Sequence, residues 1–124
     1  MADITSVAKA FVEFYYQTFD SGRQQLAPLY RNDSMLTFEG QQFAGSANIT
    51  EKLVSLPFQK VSHRISTTDA QPANPGNGAI LVTVTGQLLF DEEQNPQFFT
   101  QTFTLIPENN SYWVYNDVFR LVFA

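Results

Sequence analysis

At 124 residues the chain is long enough to bury the core of one domain, spanning 1–124, and too short for two. A formal net charge of -5 disfavours binding to nucleic acid or to anionic membranes, both of which require clustered Lys and Arg, and it favours basic partners. The absence of cysteine excludes disulfides, thiol catalysis and thiolate metal sites. The first residues lack the charged and apolar segments of a secretory signal, and no stretch approaches the ~18 apolar residues of a membrane helix, so we expect neither.

Helical periodicity dominates the first part of the chain. Apolar residues at helical spacing predict one long amphipathic helix over residues 4–19, with an apolar face made of Ile4, Val7, Ala8, Phe11, Phe14, Tyr15, Thr18 and Phe19. A short second helix is predicted over residues 24–30, and two short strands over 34–39 and 41–44. Ser46 is expected to cap a third helix, 47–55, which Pro57 ends.

From residue 60 onward the period changes to two, which is typical of strands. In the first strand Val61, His63, Ile65 and Thr67 alternate with polar residues, and long strands are predicted over 79–90, 97–106 and 112–123. The last of these has Trp113, Tyr115, Phe119, Leu121 and Phe123 on one face and Tyr112, Val114, Val118 and Val122 on the other. We therefore expect both faces to be largely buried, one by helices and the other by a second copy of the sheet in an isologous dimer.

Three consecutive carboxylates, Asp91-Glu92-Glu93, end the long strand 79–90. Fixed negative charge at the end of a buried strand suits the capture of a cationic partner. The same tripeptide, followed by Gln94-Asn95-Pro96, also fits a solvated turn. The local sequence leaves both interpretations open.

Few residues point to catalysis or to metal binding. His63 is the single histidine, so a metal site would have to rely on carboxylates around it, and we expect instead a half-buried strand histidine hydrogen-bonded to a neighbour. The glycines form no phosphate-binding set, and we predict no catalytic residue, no cofactor and no metal. A carboxylate of Asp33, Glu39 or Asp117 in an apolar pocket would have a raised pKa and could move protons. The ordinary interpretation of each is a turn acceptor or a salt-bridge partner.

Four blocks of sequence closely resemble the nuclear transport factor 2 family, in its fungal form. They are EKLVSLPFQKVSH at 51–63, FYYQTFD at 14–20, LTFEG at 36–40 and NDVFRL at 116–121, and the resemblance runs essentially from end to end. It implies a cone-shaped α+β fold, with N-terminal helices packed on a strongly bent, mostly antiparallel sheet around a hydrophobic cavity. It also implies a homodimer formed sheet to sheet.

The resemblance implies a carrier and not an enzyme. Members of the family bind the small GTPase Ran in its GDP-bound form, bind FxFG repeats of nucleoporins, return Ran to the nucleus, and occur in the cytoplasm, the nucleus and the nuclear pore. An aromatic side chain from Ran's switch II enters the cavity, while basic residues of Ran pair with acids on its rim. Carried onto this chain, the roles fall on the rim acids Glu39, Asp91 and Glu93, the cavity residues Phe38, Leu56, Val61 and Phe119, the repeat-binding Ile4 and the dimer-interface Val118.

A second class of function stays open beside the carrier. Cones of this shape also host small-molecule-binding proteins and isomerases or dehydratases that use a carboxylate in the cavity, and a shared fold does not decide function. Polar residues deep inside the cone would favour that alternative. The sequence offers mainly Phe, Leu and Val where the cone should be lined, which favours the carrier.

Overall fold

The computed structural model describes residues 3–57, 60–91 and 95–122. In chain order they form helix α1 (Ile4–Ser21), a 3₁₀ helix (Arg23–Leu29), strands β1 (Tyr30–Phe38) and β2 (Gln41–Ala44), helix α2 (Ser46–Val54), and strands β3 (Val61–Pro72), β4 (Ile80–Phe90), β5 (Gln97–Glu108) and β6 (Ser111–Val122). The predicted elements are confirmed in type and order. Among the described helices, none is both long and apolar enough to cross a membrane.

The strands form one mixed sheet in the order β2-β1-β6-β5-β4-β3. All neighbours are antiparallel except β1 and β6, which run parallel. The last strand of the chain therefore lies between β1 and β5, and it joins the N-terminal elements to the long antiparallel part of the sheet.

Helix α1 packs its apolar stripe against the sheet to form the core. Asp3 caps it, since its side chain accepts a hydrogen bond from the backbone N–H of Ser6. The prediction placed Phe14 on the buried face, and this is wrong, because Phe14 is 53% exposed. The buried stripe is instead made of Ala8, Val12, Tyr15, Tyr16 and Phe19.

Helix α2 begins one residue earlier than predicted and is not capped by Ser46. Its N-cap is Gly45, whose φ of 87° is a left-handed conformation that glycine adopts without strain. The Ser46 hydroxyl instead donates to the carbonyl of Ala27, 3.0 Å away. The serine therefore ties α2 to the 3₁₀ helix.

A bulge in β3 shifts the predicted alternation. Val61, His63 and Ile65 point inward as expected, but the register skips Ser66, so Thr67 is exposed and Thr68 is half-buried. Gly86 lies opposite the bulge, where a Cβ would meet the carbonyl oxygen of Arg64 at 2.5 Å. The two strands thus approach most closely where the sheet bends.

A second bulge, in β6, changes which residues share a face. The register pairs Leu105 with Val114 and Thr104 with Asn116, so Tyr115 is the extra residue. Each of the two predicted faces of β6 therefore contains residues from both observed faces. Val114, Asp117, Phe119 and Leu121 point to the core, whereas Trp113 and Val118 point to the outer face, and Phe123 lies outside the described residues.

The outer face of the sheet is uncovered in a single chain. We expected a second copy of the sheet to bury one face of the last strand, and in the single chain Val122 of that strand is 50% exposed and Val118 46%, while Phe98 of β5 is 55% exposed. Phe98 and Val122 are direct cross-strand partners, so their side chains form one continuous apolar surface. The protomer alone covers one face of the sheet.

Candidate functional site

The open end of the cone contains a small, mainly apolar cavity of about 30 Å³ that opens to solvent. Its walls come from α1, from the ends of β1, β4 and β6, from the start of β3, from β5, and from the end of α2 with the residues that follow it. The lining residues are Tyr15, Phe19, Phe38, Leu53, Leu56, Val61, His63, Leu88, Gln101, Phe119 and Leu121. A site built from so many separate elements depends on the whole fold being in place.

All four predicted cavity residues, Phe38, Leu56, Val61 and Phe119, lie in this lining. The rings of Phe38 and Phe119 stack with centroids 4.8 Å apart and planes 6° from parallel. Phe119 stacks in turn on Phe99, at 5.5 Å and 20°. The stack fixes the orientation of the two lining rings, with the buried Phe99 behind them.

Glu39 lies beside this stack. It follows Phe38 in a tight turn in which Glu39 and Gly40 have φ of 52° and 86°, the conformation typical of a two-residue hairpin. Its carboxylate accepts a hydrogen bond from the backbone N–H of Leu121, a lining residue. Glu39 is therefore a turn acceptor, as the ordinary interpretation held, and it is also a fixed negative charge at the cavity.

Asp91 lies at another part of the same end of the sheet. It follows β4 with a φ of 53°, and its carboxylate accepts a hydrogen bond from the backbone N–H of Lys60 at 3.0 Å. Its own N–H donates to the carbonyl of Lys60 at 2.7 Å, next to the lining residue Val61. Glu93, the remaining predicted rim acid, and its neighbour Glu92 lie outside the described residues.

His63 is the half-buried, hydrogen-bonded strand histidine that the sequence predicted. Its Nδ1 lies 2.7 Å from Oδ1 of Asp20, and its backbone N–H donates to Oδ2 of the same carboxylate at 3.0 Å. Asp20, the last but one residue of α1, thus ties the helix to β3. Within the described part of the chain, no cluster of three or more His, Asp or Glu side chains suits a metal ion.

The sequence did not predict a polar cluster below the cavity, centred on the fully buried Asp117. Its Oδ1 accepts from Nε2 of Gln101 at 2.7 Å, and its Oδ2 accepts from the hydroxyls of Tyr30 at 2.8 Å and Tyr15 at 3.4 Å. The Tyr15 and Tyr30 hydroxyls are 2.9 Å apart, and Tyr16 donates to Oε1 of Gln101 at 2.6 Å. Asp117 is neither the turn acceptor nor the salt-bridge partner that the ordinary interpretation assigned to it.

Burial dominates the ionisation of this cluster. Removal from water raises the pKa of Asp117 from its ordinary 3.8 to about 6, and the hydrogen bonds from Gln101, Tyr30 and Tyr15 offset part of that rise. Burial likewise raises the pKa of the Tyr15 and Tyr30 hydroxyls above 10.0, with a further rise from the charge of Asp117. The tyrosines therefore stay neutral donors at physiological pH.

The polar cluster bears on the alternative of a cavity enzyme. The lining is mainly apolar, as predicted, and the polar cluster lies beneath it. The carboxylate of Asp117 is fully buried beneath Tyr15 and Gln101, and its hydrogen bonds join it to these same neighbours. A proton acceptor must reach the substrate's proton at hydrogen-bond distance, so this carboxylate serves the structure of the floor and not a reaction in the cavity.

Ile4 and Val118 lie on different surfaces from the cavity. Ile4 is the first residue of α1, partly buried against the core. Val118 lies on the outer face of β6, opposite in direction to its neighbour Phe119. The structure thus separates the cavity from the residues predicted to contact nucleoporin repeats and a second protomer.

A cone of helices on a bent mixed sheet, open at one end to an apolar cavity, defines an α+β protein built to receive a ligand or a partner's side chain. Residues 7–121 match the family described as the nuclear transport factor 2 (NTF2) domain. Nuclear transport factor 2 of Kluyveromyces lactis is 63% identical over 122 residues, 98% of this chain and 97% of that protein, and that of Saccharomyces cerevisiae is 62% identical over the same length. The solved structure of nuclear transport factor 2 from Cryptosporidium parvum superposes with a TM-score of 0.90 at 43% identity, covering 96% of this chain and 94% of that one.

The chain belongs to the nuclear transport factor 2 family. The resemblance stated from the sequence is confirmed, as is the cone-shaped α+β fold that it implied. The relatives at high identity are named as transport factors and not as enzymes, in agreement with the expectation for this chain.

Proposed function

We propose that this nuclear transport protein, acting between the cytoplasm and the nucleus, is the import carrier of GDP-bound Ran and crosses the pore by binding FxFG repeats of nucleoporins. The names of its relatives support a role in nuclear transport. The choice of Ran as cargo rests on the family resemblance and on the shape of the cavity.

One observation carries the proposal: the four residues expected to hold Ran's aromatic side chain line one cavity, although they come from four separate segments of the chain. Phe38 and Phe119 line the cavity, so an inserted ring would contact both. Such a ring would remove roughly 150–250 Å² from water, which makes it the anchor of the complex.

Glu39 orients the bound segment of Ran. Its backbone N–H donates to Phe119 at 3.1 Å and its carboxylate is held by Leu121, so the charge is fixed before a partner arrives. The hydrogen bond from Leu121 uses one carboxylate oxygen. A cation of Ran would be bound with little loss of side-chain entropy, and partners that lack the cation would be rejected. Asp91 and Glu93 act with it as the rest of the acidic rim.

The preference for GDP-bound Ran follows from the segment of Ran that the carrier binds. A switch segment changes its conformation with the γ-phosphate, so it presents the aromatic ring and the neighbouring cations together in one nucleotide state. The carrier can therefore select GDP-bound Ran with no contact to the nucleotide.

The proposal includes a homodimer formed through the outer face of the sheet. Phe98, Val118 and Val122 are each about half exposed on that face, and they are apolar. A second protomer related by a twofold axis covers this surface with the same surface of its own sheet, so the apolar side chains of both are removed from water. Ile4, at the start of α1, is proposed to contact the repeats, and as an aliphatic residue it packs on a phenyl ring without stacking.

Calorimetric titration with Ran tests the proposal. We expect binding to Ran loaded with GDP and none to Ran loaded with a non-hydrolysable GTP analogue. Equal affinity for the two forms, or no affinity for either, would refute the carrier role.

A matched pair of variants tests the rim. Glu39→Gln keeps the acceptor for Leu121 and removes only the charge, so we expect the Kd for GDP-bound Ran to rise about tenfold or more. Glu108→Gln removes the same charge from the last residue of β5, beside the opposite end of β6, where Glu108 pairs at 3.9 Å with Arg31 on the surface. Equal weakening by both variants would show a diffuse charge effect and contradict the assignment of Glu39.

A further inference from the structure

Lys52 places a cation next to the cavity that the acidic rim does not account for. It lies in the last turn of α2, and its ammonium is 5.4 Å from the ring centroid of Phe38, a lining residue of the cavity. The same ammonium is 5.5 Å from the ring centroid of Phe43 on β2. Both aromatic faces attract the cation, so the packing of the two rings sets its position beside the cavity.

The ammonium of Lys52 keeps donors for a partner. Among the described residues its hydrogen-bond acceptor is Oε1 of Gln41 at 3.5 Å, which is long for such a bond, and no carboxylate lies within ion-pair distance. An ammonium has three donors, so the described contacts leave two. Glu51 is the adjacent residue on the helix, and adjacent helical positions do not face each other.

An open groove adjoins this cation. It has a volume of about 470 Å³ and lies between α2 and β2, the strand at the edge of the sheet. Lys52 and Phe43 belong to its lining, which is otherwise mostly polar. Because Lys52 also contacts Phe38, its side chain connects the groove to the wall of the cavity. The groove thus has room for an acidic side chain that approaches the ammonium from outside.

We propose that Lys52 binds a carboxylate of the same Ran segment whose aromatic ring enters the cavity. This pairing presupposes the carrier role proposed above. A ring placed against Phe38 would lie near the ammonium, and an extended chain advances ~3.3–3.6 Å per residue. The Asp or Glu that pairs with Lys52 should therefore lie within about three residues of the inserted ring.

Glu39 and Lys52 together fix the direction in which the segment binds. Glu39 follows Phe38 in the chain, and Lys52 lies over the ring of Phe38, so opposite charges flank one lining residue. A segment that turns its base to Glu39 and its acid to Lys52 is attracted by both. The reversed segment would place like charges together, which is unfavourable.

Long-range electrostatics predicts the opposite effect for a substitution of Lys52. The chain has a net charge of -5 and is proposed to bind basic residues of Ran, so the loss of one cation would strengthen the general attraction. Weaker binding after the loss of Lys52 would therefore report a carboxylate close to it.

Calorimetry of GDP-bound Ran with matched lysine variants separates the two effects. At about 0.15 M ionic strength, where charges more than ~8 Å apart are largely screened, Lys52→Gln should raise the Kd about 3- to 10-fold. Lys9→Gln removes the same charge from an exposed position in the first half of α1, so it should change the Kd by less than about twofold. Lys52→Arg keeps a cation that packs on aromatic rings, and its Kd should stay within about threefold of the wild type.

A double-mutant cycle identifies the carboxylate and excludes an indirect effect through Phe38. Each Asp and Glu of Ran's switch II is changed in turn to its amide. One of these changes should raise the Kd about 3- to 10-fold for the wild-type carrier and leave it nearly unchanged for Lys52→Gln.

An unchanged or lower Kd for Lys52→Gln, or amide variants that weaken both carriers equally, would overturn the role of Lys52 and leave the carrier role intact. A wild type that does not bind GDP-bound Ran would refute the carrier role and this pairing with it.

Discussion

The substitution Asp117→Asn tests the electrostatics of the buried cluster through the pH dependence of folding. The pKa of Asp117 is about 6 in the folded chain against 3.8 ordinarily, a rise of about 2 units, and each unit corresponds to about 1.4 kcal/mol. The folded chain therefore binds this proton more tightly than the unfolded chain does. Consequently the site's contribution to stability is greatest below pH 3.8 and falls by about 3 kcal/mol as pH rises through 6.

The amide introduced by Asp117→Asn carries no charge, so this dependence should be absent in the variant. The free energies of unfolding are measured by urea denaturation of both proteins at several pH values from about 4 to 7.5. Other titrating groups cancel in the difference between them. Relative to Asp117→Asn, the wild type should gain between about 2 and 3 kcal/mol as pH falls across that range.

The sign of the pH dependence tests whether the pKa of Asp117 is raised. A constant difference would show that Asp117 has an ordinary pKa, and a wild type that loses stability in acid relative to the variant would show that its hydrogen bonds outweigh desolvation. Asp117→Ala serves as a second comparison. It leaves the amide of Gln101 and the hydroxyls of Tyr30 and Tyr15 without their acceptor, so it should cost about 2–4 kcal/mol at neutral pH.

Three further predictions follow from the described contacts. Asp91→Lys should weaken the binding of GDP-bound Ran by only about 1 kcal/mol in calorimetry, because Asp91 is exposed and solvent screens its charge. A loss of affinity as large as that caused by a substitution at the half-buried Glu39 would contradict the place of Asp91 on the outer rim. Val118→Glu should give a monomer in sedimentation equilibrium, because it would bury a charge in an apolar interface, and a persistent dimer would refute the use of that face. Gly86→Ala should destabilise the fold by about 1–3 kcal/mol in urea, since its Cβ would meet the Arg64 carbonyl oxygen at 2.5 Å; an unchanged midpoint would show that the bulge yields easily.

The order and type of the elements were predictable because periodicity is a local property. The helical spacing of α1 and the alternation in β3 to β6 follow from which residues must face the core. The cavity residues were predictable for another reason. The family resemblance identifies residues that share a site although they are far apart in the sequence, and local patterns cannot do this. Phe38 and Phe119 stack although no sequence period connects them.

The bulges were not predictable from alternation. Each adds one residue without a partner, so every position beyond it changes face, as happened after Ser66 and around Tyr115. The sequence predicted that one face of β6 would be covered by a second copy, but not which residues lie on it, because an apolar residue signals that it will be covered and not which chain covers it. Val118 has the same character whether helix or second protomer lies above it.

The Asp117 cluster left one signal in the sequence. Asp117, Phe119 and Leu121 are two apart in a strand, which places the carboxylate inward with the apolar pair. What the sequence could not give was its partners, because Tyr15, Tyr30 and Gln101 come from distant elements. Side-chain networks of this kind are set by the completed fold.

The position of β6 has a consequence for synthesis. It is the last strand of the chain, and it pairs with both β1 and β5. During translation the N-terminal helices and β1 emerge first, but their neighbour in the sheet and the carboxylate that accepts from Tyr15 and Tyr30 are made last. Until then the edge of β1 and the apolar stripe of α1 stay open to other proteins. A nascent chain is therefore expected to resist proteases as a unit only after β6 leaves the ribosome, and truncation within that strand should abolish the fold of both halves.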